Sequence, residues 1–299
     1  MATSHTLAQE RALKAAEVTR RRWYGAHLLL LPAYLWLGLF FLFPLAIIVY
    51  YSFTVRGPVG AAETAFTLEH YARLWDPLYG RILWRSLWLA VLTTLITVVL
   101  AYPFAYALAR APRRWRMFLL LLSVIPFWTN FLIRTYAWMV ILRSNGLINT
   151  VLSSFGLIER PLSLLYTPGA VLLGLVYGFL PFMILPIYAA IDRMETSLVE
   201  AASDLGATPW QTFWRVTLPL TAPGIAAGVL LVFVPVLGMF VIPDLMGGAR
   251  VTLVGNVIHN QFLSARNWQF GSAASVVLMA LVVVGLRLYK RFFRMEGVF

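Results

Sequence analysis

The chain has 299 residues, of which 61% are hydrophobic and only 12% are charged, and its formal net charge is +12. Soluble domains carry about 25% charged residues, so this composition excludes an ordinary soluble protein and predicts a polytopic membrane protein. The absence of cysteine excludes disulfides and cysteine-ligated metal centres, and the four histidines show no metal-ligand spacing. The basic residues flank apolar runs, so we attribute them to membrane topology and expect no nucleic-acid partner.

Six apolar runs, each long enough for a transmembrane helix, follow a polar and basic segment at 1–26. They lie at about 27–52, 82–109, 117–142, 168–191, 219–242 and 271–288. The first run exceeds the 7–15 residues of a signal-peptide core and has no small-residue cleavage site, so we expect it to be retained. The prediction is an all-α polytopic membrane protein with a six-helix domain at 27–290 and a short tail at 291–299.

The distribution of basic residues predicts which side of the membrane each loop occupies. Six helices place both termini on one side, and that side carries fifteen lysines and arginines against eight on the other. The short loop after the second run carries the strongest signal, with Arg110, Arg113, Arg114 and Arg116. The positive-inside rule therefore predicts that both termini and the segment 192–218 are cytoplasmic.

The segment 192–218 has the local signals of two helices joined by a bend. Thr196 or Ser197 can cap the first helix, and Gly206 is placed to end it. Thr208 can then cap a second helix that has Pro209 at its first position and runs to Leu218. The apolar face of the first helix consists of Leu198, Ala201, Ala202 and Leu205.

The same segment resembles the signature of permease subunits of bacterial ABC importers. The pattern is Glu200-Ala201-Ala202, three residues, Gly206, nine residues, and Val216-Thr217-Leu218-Pro219, with Val216 at an isoleucine position. The resemblance implies the type I permease fold and a coupling segment that docks on an ATPase subunit. The residues it assigns to this segment are Glu200, Ala201, Ala202, Asp204, Gly206 and Pro219. An ordinary amphipathic surface helix is the alternative.

A finer resemblance, to the spermidine/putrescine permease group, covers nearly the whole chain. It is carried by the residues 66–71, 76–79, 125–129, 134–138, 145–149, 241–248, 255–256 and 260–262. It implies an importer in the bacterial cytoplasmic (inner) membrane, built with a second permease subunit, an ATPase dimer and an extracytoplasmic solute-binding protein. This chain has no glycine-rich phosphate loop, so we expect no cofactor in it, with ATP and magnesium bound by the partner ATPase.

Candidate solute contacts are few, because charges are rare within the apolar runs. Arg134 is the one basic residue well inside a run, and Trp128, Tyr136 and Trp138 near it can hold cations over their rings. Asp244, just past the fifth run, can attract a cationic solute or pair with Arg134. The alternatives are an arginine that snorkels to the outer surface and an acid that belongs only to a loop.

The scarcity of carboxylates leaves the solute open. A polyamine path needs negative charge, and another small organic solute, such as an amino-acid derivative or an opine, is the first alternative. An ion-gradient-driven secondary transporter is an alternative of a different class. Such transporters usually have internal repeats and acidic residues in the membrane, and the sequence has no evident sign of either.

Overall fold

The computed structural model describes residues 30–57 and 62–292. The predicted cytoplasmic segment 1–26 and most of the predicted tail lie outside the described residues. The first described helix, α1, is Leu30–Ser52 and contains a π-helical turn at Gly38–Leu42. An antiparallel pair of strands follows, β1 at Thr54–Arg56 and β2 at Ala62–Phe66, a hairpin that the sequence analysis did not anticipate.

The remaining described elements are helices. They are α2 (Glu69–Leu74), α3 (Pro77–Arg110), α4 (Arg113–Trp128), α5 (Phe131–Leu142), α6 (Leu147–Ser154), α7 (Pro168–Asp192), α8 (Thr196–Asp204), α9 (Pro209–Gly238), α10 (Val254–Leu263) and α11 (Trp268–Phe292). A π-helical turn at Pro243–Gly247 lies between α9 and α10. Within the described ranges, α1, α3, α7, α9 and α11 are long and apolar enough to cross a membrane.

The prediction of one continuous third span at 117–142 is wrong. The chain forms α4 and α5 instead, with an interruption at Thr129 and Asn130, where the backbone is extended. The side chain of Asn130 caps α5, since its Oδ1 accepts a hydrogen bond from the backbone N–H of Leu132 at 2.8 Å. A side-chain cap of this kind satisfies a backbone donor that a continuous helix would satisfy itself, so a helix boundary is stable here despite the apolar surroundings.

Helices α3, α7 and α9 pack together to form the centre of the described structure. Ala101 and Ala105 of α3, Leu175 and Ile187 of α7, and Val232 of α9 are completely inaccessible to solvent. Helix α1 instead packs along α11 at the periphery, with most of its side chains exposed. Exposure of apolar side chains on a spanning helix is expected, because that surface contacts lipid or another membrane subunit.

The bundle has two distinct ends. At the Asp192 end, Arg116 Nη1 forms an ion pair with Asp192 Oδ1 at 2.7 Å, and Arg116 Nη2 donates to the carbonyl of Ala109. These contacts tie together the close of α3, the start of α4 and the close of α7, next to α8. The opposite, Asp244 end holds the hairpin, α2, α6 and the π-helical turn Pro243–Gly247.

Candidate functional site

The first helix predicted in the segment 192–218 is confirmed as α8, although its cap differs from the prediction. Glu195 occupies the N-cap position, and no side chain caps the backbone there. Thr196 and Ser197 are the first two helical residues, and Ser197 Oγ donates to Glu195 Oε2 at 3.4 Å. The helix begins one residue too early for Thr196 and two too early for Ser197 to occupy the N-cap, so the predicted capping role is wrong.

Gly206 ends α8 and turns the chain, as predicted. Its φ of +82° lies in the left-handed region. The N–H of Gly206 donates to the carbonyl of Ser203 at 2.9 Å, and the N–H of Ala207 donates to that of Ala202 at 3.0 Å. This arrangement is a Schellman motif, which uses a glycine because a residue with a side chain is strained at this φ.

The cap of the second helix is also confirmed, but the helix does not end at Leu218. Thr208 Oγ1 accepts from the N–H of Gln211, whose side chain accepts from the N–H of Thr208. Helix α9 then continues without a break through a π-helical turn at Phe213–Thr217 and past Pro219. A proline lacks the N–H of a regular helix and crowds the preceding turn, and the wider π-helical turn just before it accommodates this.

The segment presents an exposed surface that combines charged and apolar side chains. Glu200, Ala201, Asp204, Gly206 and Pro219 are exposed, and Ala202 is partly buried. Leu205 and Trp210 are 89% and 69% exposed. Large apolar side chains exposed on one short helix and its neighbouring turn suit a surface that another protein covers.

A groove of about 570 Å³ opens at the interruption between α4 and α5. Its described lining consists of Trp128, Thr129, Asn130, Phe131, Arg134, Gly178, Phe179, Phe182 and Met239. Two of the predicted solute-path residues, Trp128 and Arg134, therefore lie in one groove. Trp128 is 79% exposed, so its indole is accessible to a molecule that enters.

Aromatic rings hold the guanidinium of Arg134 within this groove. Its Cζ lies 5.6 Å from the ring centroids of both Phe131 and Tyr177, which is within the range of cation–π attraction. Trp138 packs edge-on against Tyr177 with a centroid separation of 5.5 Å. Trp138 thus supports the ring beside Arg134 without lining the described groove.

The other two predicted solute-path residues lie elsewhere. Tyr136 is absent from the described lining of the groove and is 52% exposed. Asp244 is in the π-helical turn Pro243–Gly247, and its carboxylate accepts a hydrogen bond from Asn256 Nδ2. The same amide donates to the carbonyl of Phe240. Asp244 thus helps to fix the close of α9 against α10.

Sequence reasoning missed the groove residues Asn130, Phe182 and Met239, and Tyr177 beside them. The adjacent polar residues Thr129 and Asn130 inside an apolar run were the available signal for the interruption. No local signal marks the other residues, because α7 and the close of α9 meet α5 only through the tertiary fold.

Comparison with known proteins identifies relatives along most of the chain. Residues 100–294 match the family described as "Binding-protein-dependent transport system inner membrane component". The chain is 46% identical to the "Spermidine/putrescine transport system permease protein PotB" of Escherichia coli (strain K12), over 86% of this chain and 93% of that protein. It is 33% identical to the "Inner membrane ABC transporter permease protein YdcU" of the same organism, over 89% of each chain.

A solved structure has the same fold at low sequence identity. A chain of the bacterial alginate ABC transporter, in complex with an alginate pentasaccharide-bound periplasmic protein, superposes with a TM-score of 0.73. The match covers 93% of this chain and 96% of that chain at 20% identity.

Proposed function

Because the chain belongs to the family of inner membrane components of binding-protein-dependent transport systems, we propose that it is the permease subunit through which such an importer moves a polyamine. The observation that carries the choice of solute is the 46% identity to a spermidine/putrescine permease over 86% of the chain. Spermidine and putrescine are the solutes we expect first. Another small organic solute in the same kind of importer is the second candidate.

The proposed assembly contains this chain, a second permease, an ATPase dimer that binds ATP and magnesium, and an extracytoplasmic binding protein. We place the Asp192 end and both termini in the cytoplasm, with α8 against the ATPase. The exposed apolar side chains around α8 and the excess of basic residues on this side support the placement. The Asp244 end then faces the binding protein.

The proposed mechanism couples ATP-driven closure of the ATPase dimer to movement of α8. The turn at Gly206 connects α8 to α9, which continues as one helix from Pro209 to Gly238. A displacement at the cytoplasmic surface therefore reaches the groove beside Met239 through a single element. This movement switches the solute path between inward-facing and outward-facing states.

The groove at Arg134 is the proposed solute path on this subunit. Its exposed indole at Trp128 offers a ring face to a polyamine ammonium group, while its described lining contains no carboxylate. The carboxylates that a polyamine needs would then come from the second permease, across the open side of the groove. A solute that carries a carboxylate would instead bind Arg134 directly.

Replacing Trp128 with alanine is expected to lower spermidine uptake about fivefold, because a cation–π contact contributes roughly 0.5–2 kcal/mol. Uptake is measured in proteoliposomes at saturating loaded binding protein. Trp128→Phe retains a ring and should keep most of the activity. Equal losses in the two variants would contradict the role of the ring face.

Replacing Arg134 with glutamine distinguishes the two classes of solute. A polyamine does not pair with a guanidinium, so Arg134→Gln should retain spermidine uptake within about twofold, because the proposed polyamine contact is with the ring of Trp128 and not with Arg134. Arg134→Lys is the control that retains the charge. Loss of transport in the glutamine variant but not in the lysine variant would contradict a polyamine and favour an anionic solute.

A second groove, of about 560 Å³, lies at the Asp244 end and is basic. Its described lining is Arg143, Ser144, Ser163, Leu165, Tyr166, Gly248, Ala249 and Arg250, without an acid. The loops around it are fixed, because the N–H of Tyr166 donates to the carbonyl of Met246 and Arg85 donates to the carbonyl of Arg250. We propose that this groove faces an acidic part of the binding protein.

Charge reversal in this groove tests the docking proposal. The double variant Arg143→Glu, Arg250→Glu should raise the concentration of binding protein needed for half-maximal ATPase stimulation about tenfold, because like charges oppose association. The maximal rate should stay unchanged, and the effect should shrink at high salt. Arg160→Glu, another exposed arginine outside the groove, is the control. Equal effects of the control and the double variant would contradict the proposal.

The experiment that tests the function itself is reconstitution in nanodiscs with the partner permease, the ATPase and the binding protein. ATP hydrolysis is measured across a panel of solutes. Stimulation by spermidine or putrescine supports the proposal. Stimulation by another solute alone would agree with an importer but contradict the choice of a polyamine as its solute. Uptake driven by an ion gradient without the ATPase would instead favour a secondary transporter.

A further inference from the structure

Tyr102, in the buried core formed by α3, α7 and α9, makes two specific contacts with the same part of α9. The residue belongs to α3 and is only 8% exposed. Its hydroxyl lies 3.0 Å from Oγ1 of Thr221, and its ring packs edge-on against Phe213 with a centroid separation of 5.5 Å. The two partners lie on either side of Pro219, at the place where the coupling segment becomes a membrane helix.

The hydrogen bond has a definite direction. Thr221 Oγ1 donates its only proton to the carbonyl of Thr217 at 2.8 Å. Both bonds are satisfied at once when the hydroxyl of Tyr102 donates to Thr221 Oγ1. Because Thr217 is the last residue of the π-helical turn Phe213–Thr217, the bonds form a chain from α3 to the close of that turn.

The ring contact reaches the beginning of the same turn. Phe213 is its first residue and stacks on Trp210 at a centroid separation of 6.0 Å. Trp210 is 69% exposed beside α8, on the surface proposed to meet the ATPase. The rings of Trp210, Phe213 and Tyr102 therefore form a continuous path from that surface into the core.

We infer that Tyr102 is a positioning residue that makes α3 follow the first turns of α9 when the coupling segment moves; this inference rests on the proposed function. Apolar contacts between the two helices let them slide, because they have no preferred direction. The bond from Tyr102 fixes one position, because it is directional and its two hydroxyls are shielded from solvent, with Tyr102 8% and Thr221 0% exposed. Movement of the coupling segment then displaces both α3 and α9 beside the proposed solute path, and not α9 alone.

Tyr102→Phe in the complete reconstituted importer tests the inference, with spermidine-loaded binding protein as the probe. The variant retains the ring contact and loses only the hydroxyl, so we expect normal assembly and normal basal ATP hydrolysis. The amount of spermidine transported per ATP hydrolysed should fall about fivefold, since a single directional contact is lost. Thr221→Ser keeps the hydroxyl and should behave as wild type, whereas Thr221→Val should lose at least as much as Tyr102→Phe, because it also removes the bond to the carbonyl of Thr217.

The combination of Tyr102→Phe with Thr221→Val should be no worse than Thr221→Val alone, because that change has already removed the bond that Tyr102→Phe would remove. An unchanged ratio of transport to hydrolysis in Tyr102→Phe overturns the inference. A fall in both thermal stability and transport that leaves this ratio unchanged also overturns the inference, because it would indicate that Tyr102 has a purely structural role. A wild-type complex that hydrolyses ATP without transporting spermidine counts against the proposed function instead. Separate wild-type and variant measurements therefore distinguish the two failures.

Discussion

Replacing Gly206 with valine is expected to reduce transport about tenfold or more. The left-handed conformation costs a residue with a Cβ roughly 1–2 kcal/mol of steric strain that glycine does not have. The φ of +82° places Gly206 in that conformation. Among the described residues, apart from its two chain neighbours, no atom lies within 4 Å of the position that a Cβ would take, so the effect comes from the backbone and not from crowding. Retention of the ATPase on the purified permease pair and uptake in proteoliposomes are the measurements.

Asparagine at the same position is the matched control, because it enters the left-handed region at low cost. Gly206→Asn should therefore retain most of the activity, and Gly206→Asp should differ from it only through the added negative charge. Equal losses with asparagine and valine would show that contact with the partner excludes any side chain. ATPase binding that survives both Gly206→Asp and disruption of the Ala201–Ala202 face would contradict the assignment of the coupling segment.

The parts of this structure that follow from local chemistry could be predicted from the sequence. Helices α7 and α11 agree with their predicted runs within a few residues, since hydrocarbon thickness sets the length of an apolar span. Gly206 and the pair Thr208-Pro209 were placed correctly because a helix terminus has particular needs for φ and for hydrogen-bond acceptors. These signals depend on only a few neighbouring residues.

The features that were missed depend on competition between local signals or on distant partners. The high mean hydropathy of residues 117–142 predicted one continuous helix. Asn130 instead caps a new helix, so this stretch forms two helices. Pro219 was read as a boundary, whereas the π-helical turn before it lets α9 continue. The contact between Tyr102 and Thr221 joins residues 119 positions apart, so no local pattern can reveal it.

The two residues first considered as a possible ion pair show the same limit at the candidate site. Spacing alone could not say whether Asp244 and Arg134 face one another. In the folded chain the guanidinium of Arg134 lies near the rings of Phe131 and Tyr177. The carboxylate of Asp244 instead accepts a hydrogen bond from Asn256. The partners of these side chains are thus set by how α5, α7 and α10 pack, which the apolar pattern of each helix does not encode.

The second large effect is expected from Gly224→Leu, which should greatly lower the yield of folded protein. A Cβ on Gly224 would meet Ala190 and would lie 2.6 Å from the carbonyl oxygen of Pro186, which is backbone and cannot move aside. Small residues allow α7 and α9 to approach closely, as is common between membrane helices. Overpacking typically costs about 1–3 kcal/mol and can cost more where backbone must shift, a large part of the roughly 5–15 kcal/mol that stabilises a typical domain.

Two other glycines of α9 make this prediction a graded series. A Cβ on Gly228 would press mainly on the thioether sulfur of Met183, a flexible side chain. A Cβ on Gly238 would meet no atom of the described residues within 4 Å, apart from its chain neighbours and the nearby backbone of its own helix. The yield of monodisperse protein and its thermal midpoint should therefore fall most for leucine at Gly224, less at Gly228 and least at Gly238. Equal losses at the three positions would mean that added bulk anywhere in α9 is harmful. A loss concentrated at Gly224 would instead show that the close contact with Pro186 and Ala190 holds α7 against the helix that carries the coupling movement.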